Sequence, residues 1–364
     1  MVQTRNPAPL KLTPLHEWHV ARGARMVPFA GWEMPLYYTG ISRESTAVRH
    51  KAGVFDVSHM GRLRLTGHGA EPCLQRLTVN DISALAPGAG QYTLMLREDG
   101  GILDDMIVYR SASDAFEIVV NASNREKVIR WVRGALPAGA RLMDETRSTA
   151  LLALQGPEAP AIARALGVID LPGRFHFTRT SVLGTECSIS RTGYTAEDGI
   201  EIMLPAESVY GLWQKIVDLG AEPCGLGSRD TLRLEAAYCL YGHEIGEDVN
   251  PLEAGLSRVV KERKGDFVGR DALSAATPRW SLAGVRMRER SVPRQGQAIC
   301  IEGRDAGRVT SGTFSPMLGE SIALALLKPR YNVPGLAVAV DAGNRLRRGE
   351  VVELPFYRSK ALAP

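Results

Sequence analysis

A chain of 364 residues is long enough for two or three domains with sizeable cores. Apolar residues make up 45% and charged residues 23%, with a formal net charge of +4, which excludes disordered, collagen-like and low-complexity classes. No apolar run reaches membrane-spanning length, and Met1 to Lys11 is basic without an apolar core, so neither a membrane nor a secretory signal is expected. Cys73, Cys187, Cys224, Cys239 and Cys300 are scattered without a Cys-x-x-Cys pair. That spacing argues against a metal centre and for a reducing, cytoplasmic setting.

In chain order, Leu15 to Gly23 reads as a short helix, and Met26 to Met34 as an irregular segment around Phe29-Ala30-Gly31-Trp32. Helix formers run from Ser42 to Lys51 and stop before Gly53, a candidate helix-ending glycine. Arg62 to Thr66 alternates as a strand does, Gln91 to Leu96 is a second strand, and Phe116 to Asn121 a third. Between them, Gly100-Gly101 makes a tight turn into Leu103 to Tyr109, a strand interrupted by Asp104 and Asp105. Neighbours on a strand point to opposite faces, so both carboxylates face water only on an edge strand or at a hairpin mouth. Otherwise one looks inward, where an ionised carboxylate needs partners. Ser123-Asn124-Arg125-Glu126 has capping-box spacing before a helix with Val128, Ile129, Trp131 and Val132 on its apolar face.

Leu151 to Leu154 reads as a buried strand ended by Gly156-Pro157, with a helix over Pro157 to Leu166. Strands over Ser181 to Thr192 and Gly199 to Leu204 flank a turn at Gly193 to Gly199. Val209, Leu212, Trp213, Ile216 and Val217 share one helical face. Gly225 to Glu235 is a loop entering a helix capped near Ser228, with Arg229 and Arg233 on one face. Beyond Pro278, glycine- and proline-punctuated strands (Ala298 to Ile301, Gly307 to Gly312, Ile322 to Leu327, Ala337 to Val340, Val351 to Leu354) imply an all-β C-terminal domain. The expected fold class is therefore α+β, with domains over 1–55 joined to 143–275, over 56–142, and over 276–364.

Three constellations carry chemistry: Asp105; Tyr194 with Glu201; and Arg229 followed by Arg233 and Glu235. A carboxylate beside an aromatic face suits a flat, amide-like heterocycle such as a pterin, accepting a pair of N–H bonds while the ring stacks. Taken singly, each residue also has a plainer role. Glu201 would be a surface strand residue, Arg229 a partner of Asp230 or Glu235, and His59 a packed loop histidine. No Walker loop, HExxH or GxSxG is present.

Several of these segments together are more specific. Phe29-Ala30-Gly31-Trp32, Phe55-Asp56-Val57-Ser58-His59-Met60, Gly100-Gly101-Ile102-Leu103-Asp104-Asp105, Leu154-Gln155-Gly156-Pro157 and Gly193-Tyr194-Thr195-Ala196-Glu197-Asp198-Gly199 occur in order. Ser228 to Ala236, Leu240-Tyr241-Gly242-His243-Glu244-Ile245 and Val309 to Pro316 extend the series. The chain resembles, over nearly its whole length, the aminomethyltransferase (T protein) family of the glycine cleavage system.

The resemblance implies a three-domain clover-leaf around a central folate channel, with a barrel-like C-terminal domain. It implies transfer of the aminomethyl carbon from the lipoyl arm of H protein to tetrahydrofolate, releasing ammonia and giving 5,10-methylenetetrahydrofolate. The family's key acid falls on Asp105, a preorganised negative charge that steadies a cationic, iminium-like transition state. On the same resemblance Glu201 binds the pterin edge, Tyr194 packs on the ring, Tyr92 lines the channel and Arg229 contacts folate, with Asn121, Tyr357 and Arg358 as further contacts. Ala196 stands where the family often has glycine. The late basic residues fit an acidic H protein surface, a polyglutamate tail or a merely solvated face; no nucleic-acid motif accompanies them. Folate-dependent demethylases and non-catalytic folate binders share the scaffold, but the Lys-Gly-Cys loop of the latter is absent at Tyr238-Cys239-Leu240.

Overall fold

The computed structural model describes residues 9–343 and 345–359, so most of Met1 to Lys11 and positions 360–364 lie outside the described residues. Four sheets organise the chain. The six-stranded sheet runs in the order Phe177–Val182, Thr185–Ser190, Gly199–Pro205, Thr149–Gln155, Gly53–Asp56, Glu222–Cys224. Thr149–Gln155 lies inside it, which is why Ala150 to Leu154 is continuously apolar and not alternating. The five-stranded sheet has the order Gly90–Leu96, Ile102–Ala112, Ala115–Val120, Gly61–Gly67, Ala140–Asp144. A three-stranded sheet joins Lys11–Leu12, Trp32–Tyr37 and Arg25–Phe29. At the C-terminal end six strands close into a barrel: Ser281–Met287, Glu320–Leu327, Arg304–Ser315, Ala298–Ile301, Ala337–Asp341 and Leu346–Val352.

The fold is α+β and largely antiparallel, as expected. Two short parallel pairs, Lys11–Leu12 with Trp32–Tyr37 and Glu222–Cys224 with Gly53–Asp56, are exceptions. Each large body buries its own core. Leu65, Leu74, Val108, Phe116 and Val128 pack behind the five-stranded sheet, Leu152, Ile202, Leu212 and Trp213 behind the six-stranded one, and Val285, Val309 and Val340 inside the barrel. The helix Leu226–Glu235 lies among them, against the helix Ile41–His50, the strand Trp32–Tyr37 and two barrel strands. Its Leu232 is buried with Phe55 and Leu151, and its Leu234 with Ile322 and Leu324 of the barrel.

Several local expectations are corrected. Ser181 to Thr192 is not one strand but the second half of a hairpin, Phe177–Val182 with Thr185–Ser190. Its turn puts Leu183 at φ +50° and Gly184 at +78°, the mirror-image geometry that matches strand twist. The segment around Phe29 to Trp32 is likewise a hairpin, Arg25–Phe29 with Trp32–Tyr37. Gly53 opens a strand and does not end a helix; a Cβ there would sit 2.5 Å from Val48 Cγ2. Ser228 is not a cap either, because its helix begins at Leu226. Glu44 of the facing helix performs that task, accepting from Gly225 N at 2.9 Å and Ser228 Oγ at 3.2 Å, with the negative charge at the positive helix end. The capping box at Ser123 to Glu126 does not form: Asn124 occupies the cap position without a side-chain bond to the helix. Val217 is only partly buried on its helical face. In the barrel, Ser281–Met287 is a strand the sequence reading lacks, and the last strand is Leu346–Val352 where Val351 to Leu354 was expected.

Candidate active site

Asp104 and Asp105 lie on a strand paired on both sides, so the edge reading does not hold. Alternation then divides them: Asp104 is fully enclosed, while Asp105 is half-buried and faces the opposite way. Tyr92, on the neighbouring strand, donates its hydroxyl to Asp105 Oδ2 at 3.1 Å. Met106 pairs with Val120, which carries Asn121 opposite Asp105, and Asn121 Nδ2 donates to Asp105 Oδ1 at 2.6 Å. Burial pushes the Asp105 carboxyl above the ordinary carboxylate range, against the two side-chain donors, which favour its charge. Burial and the Asp105 charge push the Tyr92 hydroxyl well up, so it stays a donor.

Tyr194 closes the site from the turn between Thr185–Ser190 and Gly199–Pro205. Its hydroxyl donates to the Cys239 carbonyl, and its ring stacks on Tyr238 at 5.7 Å between centroids. The Arg229 guanidinium lies over the Tyr194 ring at 5.0 Å, a cation–π geometry. Arg229 Nη1 is buried without a hydrogen-bond partner among the described residues. Such an unmade bond costs about 1–3 kcal/mol, which a ligand acceptor would recover. Burial lowers the Arg229 pKa while the Glu201 carboxylate raises it, so the two charges stand within electrostatic reach. Glu201 Oε2 accepts from Thr192 Oγ1 at 2.6 Å, and Thr192 in turn meets Tyr109 and Ser190. Neither Asp230 nor Glu235 pairs with Arg229; Arg233 takes Asp230 and Glu244, and Arg49 takes Glu235.

Asp105, Tyr92 and Asn121 are thus directly bonded, and Tyr194 and Arg229 touch. Tyr357 lies on the Arg49 guanidinium at 4.0 Å, and Arg358 is exposed, with no bond to the others among the described residues. His59 is buried against Phe29, with burial and the Arg229 charge lowering its pKa to about 3, so it is neutral and unsuited to general-base work. Sequence reasoning missed Asp104, Asn124, Tyr238 and Arg49. The demand that one aspartate face inward left open which of the two does so; Asn124 was read only as part of the Ser123 to Glu126 capping box, and nothing local marks Tyr238 or Arg49. Among the described residues no group of three or more His, Cys, Asp or Glu is arranged to hold a metal ion.

The surroundings of Asp105 therefore offer a half-buried negative charge, an aromatic wall and a guanidinium with a spare donor. Residues 15–264 match the family model of the GCVT N-terminal domain, and residues 281–358 that of the glycine cleavage T-protein C-terminal barrel domain. An aminomethyltransferase of Symbiobacterium thermophilum is 45% identical, over 96% of this chain and 98% of its own length. One from Rubrobacter xylanophilus is 45% identical over 98% and 96%. The crystal structure of the glycine cleavage system aminomethyltransferase T from Bartonella henselae superposes with a TM-score of 0.90, 33% identity and 96% and 98% coverage. On sequence and on fold, the chain belongs to the glycine cleavage T-protein family.

Proposed function

We propose that this protein is a tetrahydrofolate-dependent aminomethyltransferase that takes its one-carbon unit from the lipoyl arm of an H protein. The carbon–sulfur bond breaks, bonds to N5 and N10 of the folate form, nitrogen leaves as ammonia and the sulfur is left as a thiol, with no net oxidation. The observation that carries the reading is Asp105, held by Tyr92 and Asn121 in a half-buried position beside the Tyr194 and Arg229 wall. A fixed negative charge there stabilises positive charge developing on the transferred carbon, and needs no reorganisation to do so. Glu201, with one oxygen bonded only by Thr192, is suited to accept the paired N–H groups of a pterin edge. Tyr194 supplies a face for the ring, Arg229 a donor for a folate carbonyl or carboxylate, and Tyr92 a polar lining.

Tyr357 and Arg358 take a different part in this reading: Tyr357 supports Arg49 behind the pocket, and exposed Arg358 meets the outer end of a folate or its glutamate tail. The units 1–55 with 143–275, 56–142 and 276–364 surround the folate. Five cysteines free of disulfides support a reducing compartment, the cytoplasm, and no helix among the described residues is long and apolar enough to cross a membrane.

The test is a single-turnover assay with tetrahydrofolate and aminomethyl-loaded H protein, reading methylenetetrahydrofolate and ammonia together. Stoichiometric appearance of both is expected. Folate binding with neither product would reassign the donor to a methylamine of the demethylase kind or leave a non-catalytic folate binder.

A further inference from the structure

Asp104 has no part in the reaction so far, yet it is fully enclosed, with no exposed surface. Its Oδ1 accepts from Asn121 Nδ2 at 2.9 Å and from Asn124 Nδ2 at 2.6 Å, and Oδ2 faces the Asn121 backbone N–H at 3.3 Å. The same Asn121 Nδ2 reaches Asp105 Oδ1. One amide nitrogen therefore bridges two carboxyl groups, one sealed in the sheet and one half-buried on its opposite side. An amide NH2 has two hydrogens to give, and both are engaged. Flipping that amide would turn its carbonyl oxygen against two carboxyl oxygens, so the bridge has one orientation. Asn124 holds the inner end. It occupies a helix cap position, donates its amide nitrogen to Asp104 and makes no side-chain bond to the helix N–H groups, forgoing a cap that typically contributes about 1 kcal/mol.

Two carboxyl groups that share one amide donor in a buried setting do not both ionise cheaply. Burial raises both, and the charge on Asp105 raises Asp104 further. The groups around them are Tyr92 from the adjacent strand, Tyr194 from the turn after Thr185–Ser190, Cys239 and Tyr241 from the segment beyond the central helix, and Lys127, bonded to Tyr241. Tyr92, Tyr194, Tyr241 and Cys239 all have raised pKa values from burial and are neutral near pH 7.

We propose that Asp104 is a positioning residue for the transfer: its sealed carboxyl fixes the Asn121 amide, and the amide fixes Asp105 toward the acceptor. This rests on the reading of Asp105 given above. Asp105 touches substrate; Asp104 acts through Asn121.

The experiment measures single-turnover rate against pH, and tetrahydrofolate affinity, for the parent, Asp104→Asn, Asn124→Ala and Asp105→Asn. The parent is expected to show two ionisations belonging to the pair. Asp104→Asn should keep folate affinity within about twofold and show one ionisation, the alkaline one having gone. Asn124→Ala, a smaller change that tests the same point if Asp104→Asn does not fold, should lose about tenfold in rate at saturating folate. A purely structural role predicts that rate at saturating folate and folate affinity fall together as the fold loosens, and that result, or Asn124→Ala at the parent rate, overturns the proposal. Asp105→Asn at the parent rate would overturn the role of Asp105 itself. Parent-like Asp104→Asn and Asn124→Ala beside an inactive Asp105→Asn would overturn the positioning role alone.

Discussion

Asp105 owes its usefulness to what surrounds it. An aspartate in water has no reason to hold one orientation, whereas here a tyrosine hydroxyl and an amide fix both carboxylate oxygens. Asp105→Asn should leave folate affinity nearly unchanged and lower single-turnover rate about a hundredfold, the scale of removing a preorganised electrostatic group. Glu201→Gln should weaken folate binding by about 1–3 kcal/mol, since a neutral amide offers one acceptor where the carboxylate offers two; equal affinities by calorimetry would remove Glu201 from the pterin site. Asp104 makes a separate prediction about stability. Its folded pKa lies above the unfolded value, so its favourable contribution is complete below the unfolded pKa and is lost as pH rises through the folded one. The stability of Asp104→Asn relative to the parent should therefore improve steadily as pH rises, as read by denaturant midpoints. Ala196 is the other residue under constraint. It is buried at φ +59°, a region that favours glycine. Ala196→Gly should be neutral or stabilising by up to about 1 kcal/mol, and Ala196→Val clearly destabilising, in thermal melts.

At the scale of elements, the turn that carries Tyr194 and the helix that carries Arg229 share a base. Arg49, 4% exposed, donates Nη1 to Thr195 O at 2.6 Å and Glu197 Oε1 at 2.8 Å. Through Nε and Nη2 it reaches Glu235 Oε2 at 3.0 and 2.7 Å. Glu235 is also bonded by Ser315 of the barrel, and Glu197 by Ser359 of the C-terminal segment. Arg49→Met would leave two buried carboxylates uncompensated, at a cost of about 3–5 kcal/mol. A chemical-denaturation midpoint close to the parent's would show that the network is redundant. The helix and strand positions around this hub were readable from periodicity and from glycine and proline punctuation. Its hydrogen bonds were not, because Arg49 sits in an ordinary-looking helix and meets residues some 150 to 190 positions away. The same blindness produced the misplaced caps: Ser228 had a capping sequence, but Glu44 from a distant element takes that role.

For the whole molecule, alternating strands, amphipathic helices and turn residues specify three packed bodies, two α+β and one barrel, since each pattern needs only neighbours in the chain to be recognised. The motifs likewise fix the family, and with it Asp105, Tyr194, Glu201 and Arg229 as residues of interest. Sequence alone thus determined the family and most of the elements in their order. Tertiary structure decided what those residues touch. It sealed Asp104, bridged it to Asp105 through Asn121, laid Arg229 on Tyr194, and laid Tyr357 on Arg49. The reason is physical. Burial and partner geometry set the charge state and orientation of a polar side chain, and both depend on strands and helices that meet only when the chain has folded.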